Sequence, residues 1–280
     1  NSADWRLRKG EPFAVRLFFG FSRPKYPVLG GVFSGKVVAV GEKVRKFKIG
    51  DEVFGSTALE HGFGTYAAFK TLSEDAPIAL KPNNISHEEA AAIPFGGTTA
   101  LHFLKKANIQ KGQKVLINGA SGAVGTAMLQ LAKFYGAEVT AMCSASNTDL
   151  VKSLGADAVV DYTKTDLSGI KTQFDVIIDC VNKLSISQMR QKLAKKGKLI
   201  LVSAGLGQML AGVWISMTSS QKVITGLISE TATDMDFLKS LVENGQLKPV
   251  IDKIYPLEEM AAAHEYVEKG HKKGNVAIKI

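Results

Sequence analysis

Between residues 114 and 135 an apolar run, a turn of small residues and a helical stripe follow one another without a break, an order that few folds accommodate. Lys114 to Asn118 reads as a buried strand. The turn is Asn118-Gly119-Ala120-Ser121-Gly122-Ala123-Val124-Gly125. Behind it, Gly122 to Tyr135 places Val124, Met128, Leu131, Ala132 and Tyr135 at i, i+4, i+7, i+8 and i+11, the apolar face of a helix laid on a sheet. A dinucleotide fingerprint needs small residues for a tight turn, for backbone approach to a pyrophosphate and for close helix packing, while the helix N-terminus supplies N–H donors and a positive dipole end. Ala120, Gly122 and Gly125 hold those positions, so Ala120, Ser121, Gly122, Ala123, Val124 and Gly125 are cofactor-binding candidates. The plainer alternative is a strand-to-helix turn with nothing bound.

The rest of the chain favours cofactor binding over the plainer turn. Strand-like runs recur at Glu138 to Met142, Ala158 to Asp161, Phe174 to Cys180, Lys198 to Ser203 and Lys222 to Ile228. Helical stretches fall at Gly97 to Ala107, Thr148 to Leu154, Ile186 to Leu193 and Asp234 to Glu243. Six strands alternating with helices predict an α/β fold whose doubly wound parallel Rossmann sheet is complete. On either side the rhythm is different. From Val28 to Leu80 short β-rich runs are cut by glycines, which predicts a smaller, irregular β-barrel. The tail, with strands at Val250 to Tyr255 and Asn275 to Ile280 and a helix at Leu257 to Lys269, is assigned back to it. The expected division is 1–84, 85–248 for the nucleotide-binding domain, and 249–280.

Composition narrows the function. The formal charge of +9 could suggest nucleic acid, yet the densest basic groups, Lys43 to Lys48 and Lys192 to Lys198, lack interleaved aromatics and read as solvated loops. No nucleic-acid partner is expected. No apolar run approaches the ~20 residues of a membrane span, and Asn1 to Gly10 has no secretory pattern, so a cytoplasmic location is expected. Cys143 and Cys180 are too few for a disulfide framework or a four-cysteine zinc site. The histidines His61, His87, His102, His264 and His271 are dispersed and read as structural or solvated. Tyr66 and Lys70 have the Tyr-x-x-x-Lys spacing of short-chain dehydrogenases, but they precede the glycine turn and lie in a β-rich stretch, so the match is read as chance.

The coenzyme follows from the segment after the second sheet strand, Met142-Cys143-Ser144-Ala145-Ser146-Asn147. NAD-binding folds place a carboxylate there for the ribose 2′-OH. This segment has no acid, and one ~4 Å from a 2′-phosphate would cost about 4 kcal/mol at an effective dielectric of ~20. NADPH is therefore the expected coenzyme, with Ser144, Ser146 and Asn147 as donors toward the phosphate. Val181, Ser203 and Gly205, after the fourth and fifth strands, occur where such sheets meet a cofactor.

These residues, with Leu29-Gly30, Gly50-Asp51-Glu52-Val53-Phe54-Gly55, Gly64-Thr65-Tyr66-Ala67-Ala68, Leu154-Gly155-Ala156-Asp157 and Asp161-Tyr162, resemble the medium-chain dehydrogenases/reductases, specifically their zinc-independent quinone oxidoreductase branch, along the whole chain. The resemblance implies a GroES-like substrate domain, N-terminally incomplete because relatives begin some tens of residues before Asn1. It also implies NADPH-dependent reduction of a quinone or an α,β-unsaturated carbonyl. By the same resemblance Thr99 lies near the nicotinamide, Asn1 faces the substrate cleft as the catalytic candidate, and Tyr162 lies beside the adenosine end. A helix start, a turn and a half-buried surface are the structural alternatives for those three. Where zinc-dependent cousins bind metal, this chain has Asn1, Gly31 and Val32; neither Gly31 nor Val32 can be a ligand, so no metal is expected. A basic residue common in the family near the 2′-phosphate is replaced by Ser146, and an acid two residues after Leu-Gly by Val32.

Without a Lewis acid or an identifiable proton donor, a conjugated acceptor, which spreads the developing charge onto a distant oxygen, is favoured over a simple ketone. A homodimer is expected through the apolar strand Lys222 to Ile228, whose edge would otherwise be bare. The competing class is an NADPH-binding sensor or interaction module with little catalysis on the same fold.

Overall fold

The computed structural model describes residues 2–11, 15–21, 23–57 and 62–280. Two compact units divide the chain: Asn1–Phe95 with Glu230–Gly245 and Pro249–Ile280, and Gly96–Ser229 with Gln246–Lys248. The cut thus falls eleven residues after the expected 84/85 boundary.

In the first unit, β1 (Val32–Lys36), β2 (Glu52–Ser56) and β3 (Ile78–Leu80) form an antiparallel sheet. Near the tail, β10 (Ile251–Pro256) and β11 (Asn275–Lys279) pair in parallel. Among the described residues these are two separate sheets, not a closed barrel. Helices α1 (Ser2–Lys9), α2 (Val15–Phe19), α3 (His87–Ala91), α9 (Ala232–Glu243) and α10 (Met260–Glu268) also belong to this unit. The sequence grouped α9 with the parallel sheet. Its end is instead tied to the first unit, where the Asn84 amide donates to the Val242 carbonyl at 3.2 Å. Helix α3 starts from a full capping box, Ser86 and Glu89 each bonding the other's backbone N–H.

The second unit holds the six-stranded parallel sheet. Its strands are β4 (Lys114–Asn118), β5 (Glu138–Cys143), β6 (Ala158–Asp161), β7 (Phe174–Asp179), β8 (Leu193–Leu201) and β9 (Lys222–Ile224), in the order β6-β5-β4-β7-β8-β9. This is the doubly wound order of a Rossmann sheet, with the chain reversing direction between β4 and β7. Val115, Leu116, Ile117, Val139, Val176, Ile177, Leu199 and Ile200 are fully buried, the condition of a parallel sheet covered on both faces.

Helices α4 (Ile93–Ala107), which begins at the end of the first unit, α5 (Ala123–Phe134), α6 (Thr148–Ser153), α7 (Ile186–Lys192) and α8 (Leu206–Thr218) complete the fold. Helix α4 starts four residues before the expected Gly97, with Pro94 in its first turn, where a missing N–H costs nothing. Helix α5 buries more than the expected stripe: Thr126, Leu129 and Gln130 are also inside. The reason is α4, whose Gly96 lies so close that a Cβ there would stand 2.4 Å from the Ala123 carbonyl oxygen.

Two strand expectations need correction. Strand β8 starts five residues early, at Leu193, because a register irregularity between Phe174 and Val176 lets both ends of β7 pair with it. Strand β9 stops at Ile224 rather than Ile228, and Gly226 at φ +125° turns the chain out of the extended region. Helix α8 was not expected at all; Gly205, Gly207 and Gly212 at its start and within it are residues typical of a loop.

Candidate cofactor site

The turn between β4 and α5 lies at the point where the strand order reverses, the place at which open α/β sheets bind ligands. Gly119, not Ala120, makes the tight bend, at φ +77°. A side chain there would also strike Val181, whose Cγ1 is 2.6 Å from the position of a Cβ. At Gly125 a Cβ would stand 2.1 Å from the Gly119 carbonyl oxygen, so the helix can pack on the turn only without one. Gly122 is different: a Cβ would meet only the Gly119 oxygen, at 3.6 Å. Its glycine is not demanded by the protein's own packing. Gly122 is the N-cap of α5, and no side chain caps that helix. The first N–H groups of α5 are left for a ligand, with the dipole end behind them.

Asn147 holds the next strand's segment to this turn. Its side chain is buried, and its Nδ2 donates to Ser121 Oγ at 3.0 Å and to Ser144 Oγ at 3.2 Å. Ser144 and Ser146 hydroxyls face each other at 3.1 Å. The Asn147 Oδ1 is buried without a hydrogen-bond partner, an orphaned acceptor beside the two hydroxyls. Asn147 therefore positions Ser121 and Ser144 rather than donating outward as expected.

One acidic group reaches this segment from a strand the sequence argument did not consult. Strand register sets Asp161 opposite Cys143. Asp161 Oδ1 accepts from the Thr163 hydroxyl at 2.7 Å and the Thr163 N–H at 3.0 Å; these bonds, with one from the Ala145 N–H, hold its carboxyl below the usual range. Beside it Tyr162 is half exposed, its N–H bonded to the Cys143 carbonyl at 3.2 Å.

Across the reversal point, the carboxylate of Asp179, 1% exposed, gathers four N–H donors: Asn118 Nδ2 at 3.0 Å, the backbone of Val181 at 3.1 Å and Asn182 at 3.0 Å, and Leu184 at 3.4 Å. It ties the end of β4 to the loop after β7. That loop is bonded onward, Gln208 Nε2 donating to Asn182 Oδ1 at 2.6 Å while Gln208 Oε1 accepts from the Gly205 N–H at 3.0 Å. Val181, Ser203 and Gly205 thus stand with the glycine turn, Ser144 and Tyr162 at the carboxyl ends of the sheet strands. Sequence reasoning missed Gly119, Asp179 and Gln208. A buried aspartate ending a strand was the signal available for the second. Thr99 is buried on α4, three residues beyond Gly96. Asn1 lies outside the described residues.

Cys143 and Cys180 end or follow strands separated by β4, hence roughly 10 Å apart and unable to share a metal. Burial pushes both thiols up. Among the described residues no three His, Cys, Asp or Glu side chains cluster as metal ligands. The Tyr66 ring packs edge-on against His264 in an irregular stretch, and burial raises its phenol, so it does not form a helical Tyr-x-x-x-Lys pair. Structure does assemble one serine–histidine contact, Ser34 Oγ to His87 Nδ1 at 2.8 Å with Glu52 3.5 Å from Nε2. Ser34 also donates to the Val53 carbonyl at 3.0 Å, and Glu52 is paired with the buried Lys81 at 3.3 Å, so the group clamps β1, β2 and α3 together.

Comparison with known proteins decides the family. A chloroplast envelope quinone oxidoreductase homolog of Arabidopsis thaliana is 34% identical over 292 residues, covering 99% of this chain and 86% of the plant protein. The chain belongs to the zinc-independent quinone oxidoreductase branch of the medium-chain dehydrogenases/reductases. The GroES-like domain of alcohol dehydrogenases matches residues 1–83, and the zinc-binding dehydrogenase family matches residues 154–278. A chloroplastic NADPH-dependent alkenal/one oxidoreductase of A. thaliana is 32% identical, over 99% of this chain and 69% of its own. The quinone oxidoreductase of Coxiella burnetii superposes with a TM-score of 0.89 at 30% identity, covering all of this chain and 87% of that one. The chain is thus an oxidoreductase of a family that works with a nicotinamide cofactor. No helix among the described residues is long and apolar enough to cross a membrane.

Proposed function

We propose that the protein is an NADPH-dependent, metal-free reductase of quinones or α,β-unsaturated carbonyls. The observation that carries this is the α5 N-terminus, uncapped and cleared of side chains at Gly122 where the strand order reverses. Residues Gly119 to Gly125 would hold the pyrophosphate, and Ser144 and Ser146 the adenosine phosphate. Thr99 and Val181 are assigned to the nicotinamide side, Tyr162 to the adenosine side, and Ser203 and Gly205 to the loop that borders the cofactor. When bound, the nicotinamide supplies the hydride. The protein's part is positioning: Asn147 fixes Ser121, and Asp179 fixes the Val181 loop. Asn1 remains assigned to the substrate side.

The preference for NADPH is supported by the neutral Ser144–Asn147 segment and by the named coenzyme of the alkenal/one relative. It works against the charge of Asp161, so Asp161→Asn should strengthen NADPH binding and leave NADH unchanged. A conjugated acceptor is supported by the substrate class named for the alkenal/one relative. With NADPH deuterated at the nicotinamide C4 and an enone as acceptor, the label should appear on the β-carbon. Label on the carbonyl carbon would overturn the reading, and tight NADPH binding without turnover of any acceptor would favour the sensor module. Elemental analysis should find no stoichiometric zinc, and activity should survive chelation. We further propose a homodimer assembled at the β9 side of the sheet, and a cytoplasmic site of action.

A further inference from the structure

From Cys180 to Ser229 the chain carries seven Lys and Arg residues and no Asp or Glu. The sequence reads the densest part, Lys192 to Lys198, as a solvated loop; the structure makes it the end of α7 and the start of β8. Three of these cations are spent on backbone carbonyls. Lys192 Nζ donates to Ser168 at 2.9 Å and Ile170 at 2.6 Å, Lys198 Nζ to Ala107, and Lys222 Nζ to Ser216 at 2.7 Å. Arg190 and Lys195 are not spent in this way. They border a groove of about 440 Å³, within the ~300–1,000 Å³ of small-molecule sites. One wall is a face of α7, with Ser187, Arg190 and Gln191; the others are Lys195 of β8 and the turn from Ser219 to Gln221 ahead of β9. The groove lies beside the amino ends of β8 and β9, away from the carboxyl ends where the glycine turn stands.

Arg190 is fixed by a neighbour that leaves its charge open. Its Nε donates to Gln221 Oε1 at 3.0 Å, and its carbonyl accepts from Gln221 Nε2 at 3.1 Å. Among the described residues no acceptor meets the two terminal amino groups of Arg190 or the Lys195 ammonium. A guanidinium held through Nε presents the planar fork that grips two oxygens of a phosphate. No residue lining the groove is acidic, so nothing there competes with an anion. None is apolar or aromatic, so the groove offers no platform to a nucleobase. What it adds to the two cations is hydroxyls and amides. Ser187 and Gln191 are exposed on α7, and Ser220 Oγ donates to the Lys195 carbonyl, which keeps its lone pairs for a ligand hydroxyl. We propose that this groove binds a phosphate monoester carried on a polyhydroxylated skeleton. Arg190 and Lys195 take the phosphate, and Ser187, Gln191 and Ser220 take the hydroxyls. The site is separate from the cofactor loops and does not depend on which coenzyme they hold.

The test is isothermal titration calorimetry of the full chain at low ionic strength, with glucose 6-phosphate as probe and glucose as its unphosphorylated control. The expected result is saturable binding of the phosphate ester, none of glucose, and affinity at least tenfold weaker in Arg190→Gln/Lys195→Gln. Lys195 is exposed, so Lys195→Gln alone keeps the fold, which far-UV circular dichroism reports, and should weaken the probe at least threefold if the double variant does not fold. NADPH binding by fluorescence should be unchanged in both variants, and saturating NADPH should not displace the probe. Vesicles of phosphatidylcholine with phosphatidylinositol phosphate separate two sources of the same chemistry. Sedimentation with them, lost in the variants, assigns the phosphate to a lipid headgroup; binding of the soluble ester alone assigns it to a free sugar phosphate. Inorganic phosphate bound as tightly as the ester would overturn the polyhydroxylated skeleton. Displacement by NADPH, equal affinity of variants and wild type, or no binding of any probe would overturn the site.

Discussion

A methyl group at residue 125 would collide with the turn at 2.1 Å, while one at residue 122 would touch it at 3.6 Å, an ordinary contact. The two glycines therefore separate packing from binding. Gly125→Ala should lower the melting temperature. Gly122→Ala should leave melting unchanged and weaken NADPH at least tenfold, about 1.4 kcal/mol, in a fluorescence titration; equal affinity would remove the pyrophosphate from this turn. His264 offers a second residue-scale prediction. Burial holds its imidazole below 6.5, Arg8 adds to that, and Asp4 and Glu268 oppose it. The unfolded chain then takes up the proton first, so the stability His264 contributes is present above about pH 6.5 and is lost as pH falls toward its folded value. Thermal midpoints should drop between pH 7 and pH 5.5, and His264→Gln should flatten that drop; equal slopes would contradict the assignment. At this scale the turn was legible because strand, small residues and helix are contiguous. The roles of Asp179, Asn147 and Asp161 were not, because each depends on a partner that strand register supplies, Asn118 for Asp179 across 61 positions of sequence.

Helix α5 and strands β4 to β7 could be read almost to the residue, since continuous apolar runs and a 3.6-residue stripe leave little choice. Helix α8 could not, because Gly205, Gly207 and Gly212 mimic a loop where its apolar residues begin. Strand β9 was read too long for a related reason: apolar Leu227 and Ile228 follow Gly226, whose backbone leaves the strand. The element-scale prediction concerns the bond between β4 and the loop after β7. Asp179→Ala would leave the Asn118 amide and three backbone N–H groups without their acceptor, at a cost on the order of 3 kcal/mol. The melting temperature should fall by roughly 6–12 °C, whereas Asp179→Asn, which keeps one oxygen, should lose less. Equal melting of Asp179→Ala and wild type in calorimetry would show that other bonds hold the loop.

For the whole molecule, the charge of +9 was a weak guide and the order of elements a strong one. Scattered lysines set solubility and steering, not chemistry, while six alternating strands and a small residue-lined turn admit few ligands. What the fold leaves open is the acceptor, because acceptor choice depends on electronics as much as on shape. Conjugation lets a distant oxygen take the charge that an isolated carbonyl would need a metal or an acid to stabilise. The measurement that tests this most directly is kcat/KM for NADPH oxidation by the full chain with a matched pair of acceptors, an alkenal and its saturated aldehyde. The account predicts that the alkenal is reduced at least tenfold more efficiently and that NADH supports the reaction less well than NADPH. Equal or better reduction of the saturated aldehyde would contradict it.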